Sequence, residues 1–281
     1  MTKNYQTEKT IQTCIIYVFM VIFALIAVVP IWLMLVNATR STAQINEGIT
    51  LIPSVYAFSN WKILTGRGFK LAVGFKNSLT ISLLGTALCV YFSALVAYGI
   101  HIYNFKGKKI LWNLIMMLIM LPASLSFIGF VQFMSKLHLT NSFIPLIIPS
   151  IASAGTVLFM KQYLESILSI ELIEASRIDG AKEFMIFNQI VLPVIKPAMA
   201  TQAIFAFVGS WNNFMTPFVL LSSTEKYTLP MLVQMLRGDI YRTEYGGIYL
   251  GIAVSLVPII IFYIFMSRYI ISGLTMGSVK E

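Results

Sequence analysis

Six long apolar runs alternate with shorter polar segments along the whole chain. Each run holds roughly the 20 residues or more that an α-helix needs to cross a hydrocarbon core about 30 Å thick. Helices satisfy their own backbone hydrogen bonds inside a bilayer, so they are the expected form of these runs. The pattern predicts an all-α, polytopic bundle of six transmembrane helices, forming one transmembrane domain over 1–281. The predicted spans are about 14–36, 78–100, 110–133, 143–163, 197–221 and 247–269.

Composition agrees with a membrane protein and argues against nucleic acid as a partner. The 281 residues are 58% hydrophobic and 11% charged, whereas soluble domains carry about 25% charged residues. The net charge of +9 comes from Lys and Arg residues that are spread over the loops and do not cluster on one face. We therefore expect a protein embedded in membrane lipid, with no nucleic acid bound.

The positive charges favour one orientation in the membrane. An even number of spans places both termini on the same side. The short turn at 104–109 holds three lysines, whereas the comparable turn at 135–142 holds one. Short loops rich in Lys and Arg usually lie in the cytoplasm, so a multi-pass protein of the cell (plasma) membrane with both termini cytoplasmic is predicted. The segment 37–77 is then external, and its 59–64 stretch is predicted as a short interfacial helix anchored by Trp61.

The longest polar interruption in the second half of the chain, 171–197, has the pattern of two short helices joined at a glycine. Ser169 is predicted as the N-cap of the first helix. Glu171 and Glu174 lie in its first turns, where the helix dipole favours negative charge. Glu174 and Arg177 are three residues apart and are predicted to pair on one face.

The sequence after this helix predicts a sharp turn and a second helix. Asp179 and Gly180 form a strong turn signal, because glycine reaches left-handed backbone angles without steric cost. A helical pattern resumes over 182–189, and Leu192-Pro193 is expected to end it. A compact pair of helices with a charged rim is a good shape for docking into a groove on another protein.

The residues of this stretch resemble the EAA loop of ABC importer permeases. That motif reads Glu-Ala-Ala, three residues, Gly, nine residues, Ile, one residue and Leu-Pro. The chain has Glu174-Ala175-Ser176, Gly180, Ile190 and Leu192-Pro193 at these positions, with Ser176 in place of the second alanine. Further likeness to the carbohydrate group of these permeases, specifically the shorter maltose-permease-like subunit, lies in Asn77-Ser78-Leu79, Ile178-Asp179-Gly180, Trp211-Asn212-Asn213-Phe214, Thr228-Leu229-Pro230 and the ending 273–280. Together these motifs cover roughly 10–281.

The resemblance implies the fold of a type I ABC importer permease and a role as a permease subunit of an ATP-driven importer. Such a subunit forms half of the translocation pathway for a sugar or oligosaccharide, in a heterodimer with a second permease subunit. The implied further partners are a cytoplasmic ABC ATPase dimer and an extracytoplasmic solute-binding protein. The loop at about 164–196 would couple to the ATPase through Glu174, Ala175, Ser176, Arg177, Asp179 and Gly180. Glu174 is the expected charged contact, Gly180 sets the angle between the helices, and Lys280 is expected to reach toward the ATPase as well.

The sequence predicts no catalytic site, no metal site and no bound cofactor. No cluster of His, Cys or carboxylate side chains has the spacing of a metal site. Gly107-Lys108 lacks the earlier glycine and the following hydroxyl residue of a phosphate-binding loop. We therefore expect a subunit that is not an enzyme, with ATP bound by the partner ATPase subunits.

Neutral polar and aromatic side chains are the candidates for the substrate pathway. The spans hold almost no Asp, Glu, Lys or Arg, which argues against ion-coupled transport and suggests an uncharged solute. Hydroxyl and amide groups can exchange hydrogen bonds with sugar hydroxyls, and aromatic rings can stack on sugar rings. The candidates are Trp211, Asn212, Asn213, Gln202 and Asn113. Interhelical hydrogen bonding is the competing explanation for each of them.

Alternative functions stay open at this point. One is an importer for another neutral or weakly charged solute, such as a polyol or a glycerol phosphate ester. Another is a stand-alone secondary carrier, which would need an internal repeat and ionisable residues inside the membrane, and the sequence shows neither. A structural or assembly protein of the membrane would have no need of the helix–glycine–helix loop.

Overall fold

The structure, a computed structural model, describes the backbone of residues 2–66, 70–235 and 244–277. Within these ranges it describes the side chains of 11–66, 70–122, 126–235 and 244–269. Every regular element of the described residues is a helix, which confirms the predicted all-α fold. Lys280 lies outside the described residues, so its contact with the ATPase stays a prediction.

The helices follow one another with short connections. In chain order they are α1 (Thr2–Ala38), α2 (Thr42–Asn46), α3 (Ala57–Gly66), α4 (Leu71–Ile102), α5 (Lys108–Met120), α6 (Ala123–Lys136), α7 (Ile144–Ile147), α8 (Ala154–Ile167) and α9 (Ile170–Ile178). They continue with α10 (Glu183–Ile186), α11 (Leu192–Val194), α12 (Lys196–Trp211), α13 (Met215–Leu220), α14 (Leu229–Met235) and α15 (Tyr245–Gly277). A π-helical turn lies at Phe187–Val191, and 3-10 turns lie at Ile148–Ile151 and Thr224–Lys226.

Four helical segments of the described chain are long and apolar enough to cross a membrane. They are Ile11–Ala38, Leu71–Ile102, Ile144–Ile167 and Tyr245–Tyr269. These segments match the predicted first, second, fourth and sixth spans. The chain is therefore a polytopic membrane protein.

The predicted third and fifth spans each consist of two helices. α5 and α6 are separated at Leu121 and Pro122, because a residue before proline is driven into extended backbone. Leu121 accordingly has φ −75° and ψ 128°. α12 ends at Trp211, and α13 begins only at Met215. An apolar segment before α12, Glu183–Val194, is bent by 81° relative to it.

The chain divides into two compact units. The first combines residues 1–69 with 233–256, and the second combines residues 70–232 with 257–281. The prediction of one transmembrane domain over 1–281 concerns the whole chain and stays a prediction.

The first unit is organised around a buried amide group. Nδ2 of Asn60, in α3, donates to the carbonyl oxygens of Ala38 and Arg40 at 2.8 and 2.9 Å. Gly246 lies against the same group, where a Cβ would come within 2.4 Å of the Arg40 carbonyl oxygen. Only glycine fits there, so the start of α15 packs closely on α3. The short helix predicted at 59–64 is confirmed as part of α3.

The core of the second unit surrounds α4, which packs against α8 and α12. Ala94 and Ala97 of α4 are fully buried, and such small side chains let neighbouring helices approach closely. The same hydrophobic cluster continues into Ile173, Ile186 and Phe187, which are at most 1% exposed. The polar stretch after α8 is therefore built onto the core of the helices.

Two short sequence motifs meet in the second unit. Nδ2 of Asn77, in α4, donates to the carbonyl oxygens of Glu225 and Tyr227 at 2.9 and 3.0 Å. The backbone N–H of Leu229 donates to Oγ of Ser78 at 2.9 Å. These bonds hold the connection between α13 and α14 against the first turns of α4. Residues about 150 positions apart in sequence thus form one structure.

Candidate coupling site

The first helix of the loop, α9, begins where its sequence predicts. Ser169 is the N-cap, and its Oγ accepts the backbone N–H of Leu172 at 3.3 Å. Glu171 lies in the first turn and Arg177 in the last, so both charges complement the helix dipole. Ile173 is fully buried on the inner face. The cap prediction is confirmed, and the buried face fixes which side of α9 remains outside.

Gly180 ends α9 in a left-handed conformation, as predicted. Its φ is +82°. Its backbone N–H donates to the carbonyl oxygen of Arg177 at 3.0 Å, and the N–H of Ala181 donates to that of Ser176 at 3.1 Å. This pair of bonds is the Schellman motif, which satisfies carbonyl groups at a helix end. The angle between α9 and the following helix is therefore set by backbone bonds that depend on a residue with positive φ.

Arg177 is paired with Glu183, and the predicted pair with Glu174 is wrong. Nε of Arg177 donates to Oε1 of Glu183 at 2.6 Å. The hydroxyl of Tyr103 donates to the other carboxylate oxygen, and the guanidinium carbon of Arg177 lies 5.6 Å from the centre of the Tyr103 ring. The turn at Gly180 brings Glu183 back to Arg177, which sequence spacing within α9 does not reveal. We call Arg177, Glu183 and Tyr103 the loop clamp.

The loop clamp is a charged network at neutral pH. The hydrogen bond from Arg177, followed by that from Tyr103, holds the pKa of the Glu183 carboxyl below its usual value. Burial, followed by the hydrogen bond to Glu183, raises the pKa of the Tyr103 hydroxyl. Glu183 is therefore ionised and Tyr103 is neutral, so the phenol donates and the carboxylate accepts.

The second helix of the loop runs further than predicted. α10, the π turn and α11 form one continuous helical segment that passes through Pro193. In the π turn the N–H of Leu192 donates to the carbonyl oxygen of Phe187, five residues back. This wider turn accommodates a proline that would clash in a regular α-helix. The expected end at Leu192-Pro193 is therefore wrong, and the chain bends only at Ile195.

The bend at Ile195 is held on both sides. The N–H of Ile195 donates to the carbonyl oxygen of Val191 at 3.1 Å, and the N–H of Met199 donates to the carbonyl oxygen of Ile195 at 3.0 Å. The Ile195 side chain is fully buried. The loop is therefore joined to α12 by a hydrogen-bonded bend of 81°, which we call the elbow.

The outer side of the loop carries exposed apolar side chains together with carboxylates. Ile178 is 85% exposed and Phe184 is 70% exposed. Glu174, Ala175 and Asp179 are also exposed. Within the described part of the chain, the Glu174 carboxylate makes no hydrogen bond or ion pair. We call these five residues the docking face, because exposed apolar groups in a polar rim are typical of a protein-binding surface.

The structure separates Ser176 from the other predicted coupling residues. Glu174, Ala175, Arg177, Asp179 and Gly180 are exposed, whereas Ser176 is 7% exposed. Oγ of Ser176 donates to the carbonyl oxygen of Leu172 at 2.7 Å. The small side chain of Ser176 therefore allows close packing within this chain.

Sequence reasoning missed four members of this site. Ile178 and Phe184 could have been found as large apolar side chains in a polar loop. Glu183 and Tyr103 could not, because their contact depends on the fold of the chain. Tyr103 is 80 residues from its carboxylate partner.

Trp211 is a core side chain, although it was predicted for the substrate pathway. It is 1% exposed. Its ring stacks on Phe207 at a centroid distance of 5.7 Å and meets the edge of Phe75 at 5.9 Å. A side chain enclosed in this way stabilises the packing of α4 and α12.

A groove of about 350 Å³ lies between α4, α12 and the 146–153 segment. Its polar lining is neutral and consists of Ser150, Ser153, Ser210 and Asn213. Gly85 keeps it narrowly open, because a Cβ there would lie 3.1 Å from Oγ of Ser150. The serines were missed because single hydroxyl residues in apolar runs carry no distinctive spacing.

The other pathway candidates are placed differently. Asn213 lines the groove, and its Oδ1 also accepts the backbone N–H of Thr216 at 3.3 Å. Asn212 is exposed beside it, Gln202 is half-buried in α12, and Asn113 is exposed on α5. These three are not among the residues that line the groove. The structure therefore brings one of the five predicted pathway residues to this groove.

Known proteins resemble this chain over almost its whole length. The arabinooligosaccharides transport system permease protein AraQ of Bacillus subtilis is 32% identical over 280 residues, covering 99% of both chains. AraQ of Halalkalibacterium halodurans is 37% identical over 260 residues, covering 92% of both. The lactose transport system permease protein LacG of Rhizobium radiobacter is 29% identical over 257 residues, again covering 92% of both.

A solved structure shares the fold. It is a crystal structure of a bacterial ABC transporter involved in the import of the acidic polysaccharide alginate. One of its chains matches with a TM-score of 0.79 and 24% identity, covering 92% of this chain and 96% of that chain. Residues 90–275 also match the family described as the binding-protein-dependent transport system inner membrane component. With more than half of its length matching that family, this chain belongs to the inner membrane components of binding-protein-dependent transport systems.

Proposed function

We propose that this chain is the permease subunit of an importer and forms half of the translocation pathway for an oligosaccharide or other sugar. Relatives that match over at least 92% of the chain are named for arabinooligosaccharides and lactose transport. The groove supports a neutral solute rich in hydroxyl groups. Its serine and amide side chains can donate and accept the hydrogen bonds that a sugar loses on leaving water.

The lining of the groove also argues against a glycerol phosphate ester. None of the described residues that line it is Lys or Arg. A phosphate group taken out of water needs positive charge or several strong donors. A polyol would satisfy the same hydroxyl and amide groups as a sugar. The two solutes are separated by an uptake assay in which an unlabelled polyol competes with a labelled sugar.

The docking face is the observation that carries the proposed coupling. Ile178 and Phe184 offer apolar anchors, and Glu174 offers a free carboxylate, on a loop that the core holds in place. The partner proposed for this face is a cytoplasmic ABC ATPase dimer with a groove that contains Arg or Lys. ATP binds to that dimer, and this chain needs no cofactor of its own. The remaining partners are a second permease subunit, in a heterodimer, and an extracytoplasmic solute-binding protein.

The coupling mechanism uses the rigidity of the loop. When the ATPase subunits close around ATP, the docking face moves with them. The loop clamp and the Schellman turn keep α9 and α10 in one fixed arrangement. The elbow transmits the displacement to α12, which forms one wall of the groove. In this arrangement the loop at 164–196 and both termini are cytoplasmic, and the segment 37–77 is external.

Reversing the charge at Glu174 tests the coupling role. In the full importer in its own membranes, Glu174→Lys is expected to lower uptake by more than about 30-fold, because it places like charges together at the interface. The co-purifying ATPase should be lost, while the amount of permease in the membrane stays normal. Uptake of a labelled oligosaccharide and ATPase recovery after detergent extraction are the two measurements.

The matched control is Glu47→Lys. It reverses another exposed carboxylate, in the 37–77 segment, and should leave uptake and ATPase recovery unchanged. Normal uptake and normal ATPase recovery with Glu174→Lys would rule out the proposed coupling site. Loss of ATPase with both variants would show only a general sensitivity to added positive charge.

A further inference from the structure

A second cavity, of about 600 Å³, opens beside the first turn of α5. It shares no residue with the docking face or the groove. Its walls come from the end of α4, the turn before α5 and the middle of α8. The lining combines four apolar side chains with three cations: Ile100, Phe105, Ile110, Trp112, Lys108, Lys109 and Lys161. The cavity therefore joins an apolar wall to concentrated positive charge.

Lys161 reaches the cavity from near the end of an apolar helical segment. It lies six residues before the end of the Ile144–Ile167 segment, which corresponds to about 9 Å of helix. Its Nζ lies 4.5 Å from the centre of the Trp112 ring and is paired with the carboxylate of Glu165. Long Lys side chains near the ends of membrane helices extend toward the membrane surface, where lipid headgroups lie.

Lys108 and Lys109 occupy the first turn of α5, which holds no acidic residue. Positive charge at this end of a helix opposes the helix dipole, so these lysines do not stabilise α5. Nζ of Lys108 contacts a neutral partner, Oδ1 of Asn104, at 3.4 Å. Around the cavity, Glu165 is paired with Lys161. Among the described residues that line the cavity, Lys108 and Lys109 keep uncompensated positive charges.

We propose that this cavity binds the phosphate headgroup of an anionic phospholipid such as phosphatidylglycerol. Basic pockets between membrane helices are suited to such headgroups. Phe105 and Ile110 are 44% and 69% exposed, and they would contact the glycerol backbone and the first acyl carbons. A free phosphate ion would use the lysines and leave this apolar wall in water, which decides in favour of the lipid.

The lysines of the turn therefore have a role beyond setting orientation. Two cations at the start of α5 and one on α8 line the same cavity, so a bound headgroup would hold these two helices together. The inference requires only that the chain is a membrane protein. It does not depend on the transported solute or on the coupling loop.

Lipid retention measured on the full-length chain with its co-purifying subunits tests this site. The protein is placed in phosphatidylcholine nanodiscs with increasing phosphatidylglycerol, and native mass spectrometry counts the phosphatidylglycerol molecules that stay bound. Lys109→Gln/Lys161→Gln is expected to weaken retention by about 30-fold, the effect of removing two lysines near an anionic surface. Lys108→Gln/Lys109→Gln should act in the same direction while leaving the contact between Lys161 and Trp112 intact.

Matched charge removal elsewhere provides the control. Lys76→Gln/Lys136→Gln removes two exposed lysines that do not line the cavity and should retain phosphatidylglycerol as the unmodified protein does. Equal retention by all variants would overturn the proposal. So would displacement of the bound lipid by inorganic phosphate at low concentration, because that result identifies a site for free anions. Unchanged lipid retention with loss of the ATPase from the cavity variants would instead assign the lysines to a protein partner.

Discussion

Gly180 has a backbone angle that few residue types adopt without strain, and its φ of +82° turns the chain from α9 into α10. Gly180→Val is expected to weaken this turn by about 1–2 kcal/mol or more, because a β-branched residue at positive φ is strained. Gly180→Asn should keep most of the activity, since asparagine visits left-handed angles more readily. Uptake per permease molecule in the membrane is the measurement.

The comparison between these two variants isolates the backbone angle. Among the described residues, apart from the immediate chain neighbours, no atom lies within 4 Å of a Cβ built on Gly180, so the valine and asparagine side chains are not crowded at that atom. Equal uptake by the valine and asparagine variants would show that the left-handed angle is not required for coupling.

The loop clamp predicts a pH dependence. The folded-state pKa of Glu183 is lowered, first by Arg177 and then by Tyr103. The stabilisation from this carboxylate is therefore complete above its ordinary pKa and is lost as pH falls through the lowered value. The protection factors of the amides in 170–186, which compare exchange with its intrinsic rate at each pH, should be constant from neutral to mildly acidic pH and fall only in strong acid.

Arg177→Met should move that loss of protection to higher pH, because the carboxylate loses its main partner. At neutral pH, exchange is expected to increase by about two- to five-fold, a range typical of partly exposed ion pairs. Arg177→Lys keeps the positive charge, so the pH at which its protection is lost should lie between the values for the unmodified protein and for Arg177→Met. A pH profile that is identical in all three proteins would contradict the loop clamp.

Local chemistry could be predicted from single residues, but distant contacts could not. The cap at Ser169 and the turn at Gly180 depend on a few adjacent residues, so both are visible in the sequence. The partner of Arg177 depends on where Tyr103 and Glu183 arrive after folding. The burial of Trp211 was also not predictable, since its neighbour Phe75 comes from α4.

The contact between α4 and the loop 222–229 yields a prediction at the level of whole elements. Asn77→Leu keeps the side-chain volume but leaves the carbonyl oxygens of Glu225 and Tyr227 without their donor. We expect a loss of about 1 kcal/mol in stability, because the loop loses two partly buried hydrogen bonds to α4. Thermal unfolding of the purified protein measures the loss of stability. The rate of proteolysis within 222–229 measures the loosening of the loop.

Asn113→Leu is the matched control for this substitution. Asn113 is exposed on α5, and among the described residues it has no hydrogen-bond partner. It should leave the unfolding temperature unchanged. If Asn77→Leu behaved in the same way, the loop would not depend on the amide of α4.

Helices could be predicted from apolar runs, whereas their interruptions depended on backbone detail. The break at Pro122 follows the ordinary effect of proline on the preceding residue. Pro193 has the same chemistry, yet the π turn before it lets the helix continue. The residues at 187–191 have no pattern that predicts a π turn. The end of the second helix of the loop was therefore predicted too early.

For the whole molecule, hydropathy and the EAA-like spacing were enough to predict the membrane class and the family. The groove was not predictable, because Gly85, Ser150 and Asn213 come from three separate segments. The cavity at α5 was also invisible in the sequence, where Lys161 looks like an isolated charge. Both depend on tertiary packing, which pattern and composition do not encode directly.

The elbow at Ile195 determines the direction in which force travels. The segment Glu183–Val194 and α12 meet at a bend of 81°. If both are rigid and the bend angle is kept, a sideways displacement of the first segment tilts α12. A sideways displacement of the loop in the plane of the bend therefore reaches α12 as a rotation about Ile195. Because α12 is a 16-residue helix, about 24 Å long, a rotation of only 5° moves its far end by about 2 Å. A small rotation of the loop is thereby carried to the far end of α12.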